Sequence, residues 1–120
     1  IITAPHTPET DHLFDREMLA RMKRGSLLVN VGRGRIVDEA ALAEALRTGA
    51  PGGAALDVFE TEPLPAASPL WDMDGVILTP HVAGFGVDFW EGLVDLFSRN
   101  LERWQRGEPL ENVVDKQRGY

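Results

Sequence analysis

The stretch Ser26-Leu27-Leu28-Val29-Asn30-Val31-Gly32-Arg33-Gly34 decides how the rest of this chain is read. Ser26 to Val31 is a continuous apolar run, the kind of strand buried on both faces of a parallel sheet. Gly32-Arg33-Gly34 follows it directly, and glycines on either side of an arginine let the backbone approach a ligand closely. On the N-terminal side, Asp15 is placed as a helix N-cap, with Phe14 and Leu19 as its hydrophobic staple. That helix turns Met18, Leu19 and Met22 inward and closes on Lys23-Arg24, with Gly25 as a left-handed stop. Further back, Ile1 to Ala4 is a short apolar run stopped by Pro5, consistent with the end of a buried strand.

Downstream, Asp38 caps a second helix, with Val37 and Leu42 as staple, Ala41, Leu42, Ala45 and Leu46 as the apolar stripe and Gly49 as the stop. Ala54 to Val58 reads as the next strand. A loop with Pro63, Pro65 and Pro69 runs to Trp71, and Val76 to Thr79 forms a further strand closed by Pro80. From about Val87 the period becomes helical, and Trp90, Leu93, Val94, Phe97, Leu101 and Trp104 share one broad face. Gly107 ends it, and a polar tail follows. Strands that alternate with helices in this way predict a parallel α/β sheet. Ligands in such sheets sit at the carboxyl ends of the strands.

Composition narrows the function classes. The 120 residues suffice for one domain with a real core. The chain carries 12 basic against 19 acidic residues, a net charge of −7, with no basic patch of nucleic-acid type. It has no cysteine, so neither a disulfide framework nor a thiolate zinc site is expected, and no metal site is expected. No apolar run approaches the roughly 20 residues of a membrane span.

The strand ends carry distinct chemistries: Pro5-His6 after the first, Gly32-Arg33-Gly34 after the second, Asp57 with Glu62-Pro63 at the third, and Pro80-His81 after the fourth. Each alone has a plain alternative. Arg33 could be a surface arginine in a turn, His81 a structural histidine, and Glu62 an ordinary loop acid. Asp57 ends an apolar strand, and a half-buried acid needs partners. If guanidinium, carboxylate and imidazole meet, the chemistry follows. The carboxylate favours the cationic imidazole, which can act as a general acid towards a carbonyl oxygen, or as a base in reverse. The arginine fork would anchor a substrate carboxylate and polarise the neighbouring carbonyl. No serine or cysteine nucleophile stands ready, so a reductant such as an external hydride is needed.

These segments resemble the D-isomer-specific 2-hydroxyacid dehydrogenases, in their C-terminal portion. The likeness rests on Leu28-Val29-Asn30-Val31-Gly32-Arg33-Gly34 with Val37-Asp38-Glu39, on Gly53-Ala54-Ala55-Leu56-Asp57-Val58-Phe59-Glu60-Thr61-Glu62-Pro63-Leu64, and on Leu78-Thr79-Pro80-His81-Val82-Ala83-Gly84. Thr7-Pro8-Glu9-Thr10 and Asn112-Val113-Val114-Asp115 also fit. The resemblance implies an α/β fold, half of a doubly wound, Rossmann-like parallel sheet with a long C-terminal helix. Residues 1–86 would be the second half of the dinucleotide-binding domain, and 87–120 the helix and tail returning to a substrate domain. It implies hydride transfer between NAD or NADP and a small 2-oxo or D-2-hydroxy acid. Arg33 would bind the substrate carboxylate, His81 would be the general acid/base, and Glu62 its paired acid, with Glu60 a nearby competitor for that role. Asp57 would hold the nicotinamide carboxamide, and Pro5, Thr10, Val31, Gly32, Ala83 and Gly84 would touch cofactor. A homodimer and a cytoplasmic setting are implied for the full-length protein.

No G-x-G-x-x-G follows a strand here; Gly32/Gly34, Gly52/Gly53 and Gly84/Gly86 have the wrong spacing or context. The chain, which opens on Ile1, is therefore expected to be a piece of a longer protein. The expectation is that it is inactive alone, with uncovered apolar surface and an unpaired strand edge. A different class of function, a cofactor-sensing corepressor that binds partner proteins, stands beside the enzyme reading.

Overall fold

A computed structural model describes residues 1–119. The chain divides into two compact units, Ile1–Ala83 and Gly84–Tyr120. The first holds a parallel sheet in the order β1 (Leu27–Asn30), β2 (Gly53–Leu56), β3 (Val76–Leu78). The register sets Leu28 beside Ala54 and Ala54 beside Val76. The expected first strand contracts to one parallel bridge, Ile2 with Asn30, tied by Ile2 N–H to Val29 O at 2.8 Å and Val31 N–H to Ile2 O at 3.2 Å.

Two helices join the strands. In α1 (Arg16–Ala20) the Asp15 carboxylate accepts from Met18 N–H at 2.8 Å. In α2 (Glu39–Thr48) Asp38 does the same for Ala41 N–H at 2.8 Å, and Gly49 closes the helix at φ +80°. Each cap satisfies a donor that the helix itself cannot, worth about 1 kcal/mol. Expected as a longer helix reaching Lys23-Arg24, α1 instead stops at Ala20, and Met18 faces solvent. Only Leu19 of that helix is fully buried, so a single anchor holds one and a half turns.

The core shows which face of the sheet is covered. Leu19, Ile36, Leu42 and Leu70 are almost wholly buried, and they share one cluster with Leu28, Ala54 and Leu56. Those strand residues are alternate positions, so they point to one face. The opposite face carries Leu27, 72% exposed, and Ile77, 66% exposed. The strand at Ser26–Val31, which forms β1, was expected to be buried on both sides. Within this chain it is buried on one, because both helices contribute to the same core.

The second unit contains α3 (Phe89–Gln105). Its apolar stripe forms as the helical period requires, but none of its residues is buried. Phe85 meets Phe89 edge-on at 4.9 Å and stacks with Trp90 at 6.4 Å. The following segment folds back along the helix. The Asn100 side chain donates to Glu111 O at 3.2 Å and accepts from Glu111 N–H at 2.8 Å.

Candidate active site

Arg33 lies in the extended turn between β1 and a single 3₁₀ turn, Gly34–Ile36. Buried Asn30 builds that turn: its side chain accepts from Gly32 N–H at 3.1 Å and donates to Arg33 O at 3.0 Å. An amide ending an apolar strand must find partners, and here the partners are the two residues that present the guanidinium. The Arg33 guanidinium donates to Gly32 O at 2.8 Å and has no carboxylate partner among the described residues. The flanking glycines are also required by the chain's own packing. A Cβ on Gly32 would lie 2.8 Å from Ala4 O, and one on Gly34 only 1.9 Å from the Phe59 carbonyl carbon. The chain's own backbone approaches them.

Asp57 follows β2 and is 3% exposed. One carboxylate oxygen accepts from Thr79 Oγ1 at 2.5 Å and Val82 N–H at 2.9 Å, the other from Ala83 N–H at 2.8 Å. Burial pushes this carboxyl up, but the Thr79 hydroxyl and the two backbone donors outweigh it, and the net displacement is below the ordinary aspartate value. Asp57 thereby fixes the segment that carries His81, a residue in the left-handed region at φ +56°. An imidazole-bearing residue held there is locally strained, and the three bonds to Asp57 across this segment hold it in place.

His81 Nδ1 and Glu62 Oε2 are 2.7 Å apart, while Glu62 Oε1 accepts from Phe59 N–H at 3.0 Å. The His81 contact, more than the Phe59 bond, holds the Glu62 carboxyl below its ordinary value despite the opposing effect of burial. Glu60, the competitor, has other partners: its carboxylate accepts from Glu39 N–H at 2.8 Å and comes within 3.3 Å of His12 Nε2. Arg33, Glu62 and His81 line one cavity of about 290 Å³, with His6, Arg35 and Glu60 also on its wall. Glu62 and His81 also line a second cavity, of about 590 Å³, with Phe59, Leu64, Trp71 and Leu78 among others.

The positions expected to touch cofactor are placed as follows. Val31 and Gly32 continue β1 at its carboxyl end, and Val31 is 37% exposed. Pro5 ends the segment bridged to β1, and Thr10 shapes its loop: the Thr10 hydroxyl donates to Pro5 O at 2.8 Å and accepts from Thr7 N–H at 2.7 Å. Ala83 donates to Asp57. Gly84 opens the second unit, with open space where a Cβ would stand. Sequence reasoning assigned no role to Asn30 or Thr79. The signal for Asn30 was a lone amide in an apolar strand; for Thr79 it was a hydroxyl at a strand end opposite a buried acid.

Among the described residues no group of three or more His, Asp or Glu could hold a metal, and no helix is long and apolar enough to cross a membrane.

Residues 1–83 match the family described as D-isomer specific 2-hydroxyacid dehydrogenase, NAD binding domain. The chain is 44% identical over 116 residues to the glyoxylate/hydroxypyruvate reductase B of Serratia proteamaculans, covering 97% of this chain and 36% of that protein. It is 42% identical over 113 residues to the glyoxylate reductase of Korarchaeum cryptofilum, covering 94% and 34%. The chain thus spans about a third of the length of the curated relatives it matches. Among solved structures, a D-isomer specific 2-hydroxyacid dehydrogenase from Xanthobacter autotrophicus, in complex with NADPH and MES, superimposes with a TM-score of 0.88 at 48% identity, covering 98% of this chain and 48% of that one. An NADPH-dependent glyoxylate/hydroxypyruvate reductase from Sinorhizobium meliloti, in complex with NADP and sulfate, gives 0.87 at 41%, covering 98% and 38%. With its parallel sheet and the ordered motifs at its strand ends, this chain belongs to the D-isomer specific 2-hydroxyacid dehydrogenase family, within the NAD-binding domain.

Proposed function

We propose that the full-length protein carrying this chain is an oxidoreductase that interconverts a small 2-oxo acid and its D-2-hydroxy acid with NAD or NADP, glyoxylate and hydroxypyruvate being the first substrates to try. The observation that carries the reading is the 2.7 Å His81–Glu62 contact on the wall of the cavity that also holds Arg33.

In this reading Arg33 takes the substrate carboxylate in its planar fork and polarises the adjacent carbonyl. His81 Nε2, which has no partner among the described residues, gives a proton to the carbonyl oxygen in reduction and removes it in oxidation. Glu62, bonded at Nδ1, fixes the ring's orientation and balances its charge. The nicotinamide cofactor, when bound, supplies or accepts the hydride. The residues present suit its nicotinamide end: Asp57 lies after β2, and its three bonds leave one of about four acceptor positions for a carboxamide. In sequence, Val31 and Gly32 follow β1 and Ala83 and Gly84 follow β3, and Pro5 and Thr10 belong to the loop after the Ile2 bridge.

The test is an assay of the full-length protein with glyoxylate and with hydroxypyruvate, each with NADH and NADPH, followed by loss of nicotinamide absorbance. Turnover with either acid is expected; no turnover with any pairing of acid and cofactor would overturn the reading.

A further inference from the structure

Three segments carry the groups that must cooperate. His81, on the segment leaving β3, is tied to Glu62 by their 2.7 Å contact; Arg33 sits on the segment entering α2, and Glu62 on the segment leaving β2. The mutual register of these last two is fixed by a reciprocal lock. Glu39 N–H donates to Glu60 Oε1 at 2.8 Å, and Glu60 N–H donates to Glu39 Oε1 at 2.5 Å. Each glutamate therefore caps the other's backbone across 21 positions of sequence. The Gly34 backbone is pressed against Phe59 and Glu60 with no room for a Cβ, so the two segments touch between Arg33 and the lock. His12 Nε2 lies 3.3 Å from Glu60 Oε2 and has no hydrogen bond of its own among the described residues, although the atom is buried. Arg35 O accepts from His12 N–H at 2.7 Å, which fastens this histidine to the Arg33 segment.

We infer that Glu39 and Glu60 are positioning residues that set the Arg33 guanidinium against the His81–Glu62 pair. Glu39 does not line the cavity that holds Arg33 and His81; Glu60 does, but its carboxylate is engaged by the Glu39 N–H. Both act by holding the backbone that presents those groups. Burial raises the Glu39 carboxyl above its ordinary value, Glu60 and Glu62 adding to it and the Glu60 N–H opposing. The lock thus brings carboxylates together at an electrostatic cost, which is understandable if what it secures is register. A loosened register moves reacting groups by ångström fractions, and displacement of that order costs up to about a hundredfold in rate.

The kinetic arm rests on the proposed reductase activity; the spectroscopic arm does not. In the full-length protein, Glu60→Ala, which removes the acceptor, should lower kcat/KM for the 2-oxo acid about ten- to hundredfold, mostly through KM for the acid, with KM for the cofactor within about twofold. Glu60→Gln keeps an oxygen for the Glu39 N–H and should stay within about threefold of the parent. By NMR of the unliganded protein, Glu60→Ala should shift or broaden the His81 imidazole nitrogen signals and Glu60→Gln should leave them in place. If the Gln variant falls as far as Ala, or if the Ala variant leaves both the acid KM and the His81 signals unchanged, the positioning role is overturned. A parent protein without turnover would refute the reductase reading alone, since the His81 signals still decide the lock.

Discussion

The two units treat polar and apolar side chains in opposite ways. In residues 1–83 the polar groups go inward where the fold is decided: Asn30 is 1% exposed and Asp57 3%, each with its bonds made inside the chain. In α3 the large apolar groups face outward, Trp90, Phe97 and Trp104 among them, and none is buried. A buried polar group with all its partners specifies one arrangement, because any shift leaves donors or acceptors unpaired at a cost of about 1–3 kcal/mol. An exposed apolar stripe specifies a helix but no neighbour. The first unit therefore carries the site, and the second carries a surface whose amphipathic period alone is determined.

The largest effect expected from breaking this comparison lies in the site. His81→Ala in the full-length protein should cut turnover about 10²–10⁴-fold while cofactor affinity, read by fluorescence titration, stays near the parent value. Comparable turnover would move the acid/base role elsewhere. Next comes the core against the stripe. Leu42→Ala, fully buried, should cost about 2–5 kcal/mol in denaturant melts, whereas Phe97→Ala, 68% exposed, should change the stability of this chain by less than about 0.5 kcal/mol. Equal losses would mean that the stripe is covered in solution.

Arg33→Lys should raise KM for the oxo acid about ten- to hundredfold, since a point charge cannot replace the fork; an unchanged KM would remove Arg33 from the substrate. The smallest effect concerns acid. The folded Asp57 carboxyl titrates below its ordinary 3.8. Its contribution is therefore complete above that value and is lost as pH falls through the lower folded one. Asp57→Asn should cost about 1–3 kcal/mol at neutral pH. Thermal melts of parent and variant should converge as pH drops below about 4. Parallel curves at all pH values would show that the charged form gives Asp57 no advantage.

Much of this site was legible in the chain. Asp15, Asp38 and Gly49 announced helix boundaries, and the caps formed there, because capping is a contact over three or four residues. The motifs at the strand ends named Arg33, Glu62 and His81, since a parallel sheet brings the carboxyl ends of its strands to one edge. The resemblance preferred Glu62 to Glu60 by its place before Pro63; the fold supplied the contacts, since Glu62 meets His81 while Glu60 meets Glu39 and His12. The glycines around Arg33 also gained a meaning the sequence did not show, room for the backbone of Ala4 and Phe59.

The sequence by itself determined the periodic elements, their order, and the inventory of reactive groups, all of which follow from local sterics and hydrophobic spacing. Only the tertiary structure decided which face of the sheet is covered, what Glu60 bonds instead of the imidazole, and what the buried amide and carboxylate grip. Those outcomes depend on hydrogen bonds between segments tens of residues apart, and no local pattern encodes the partner of such a bond.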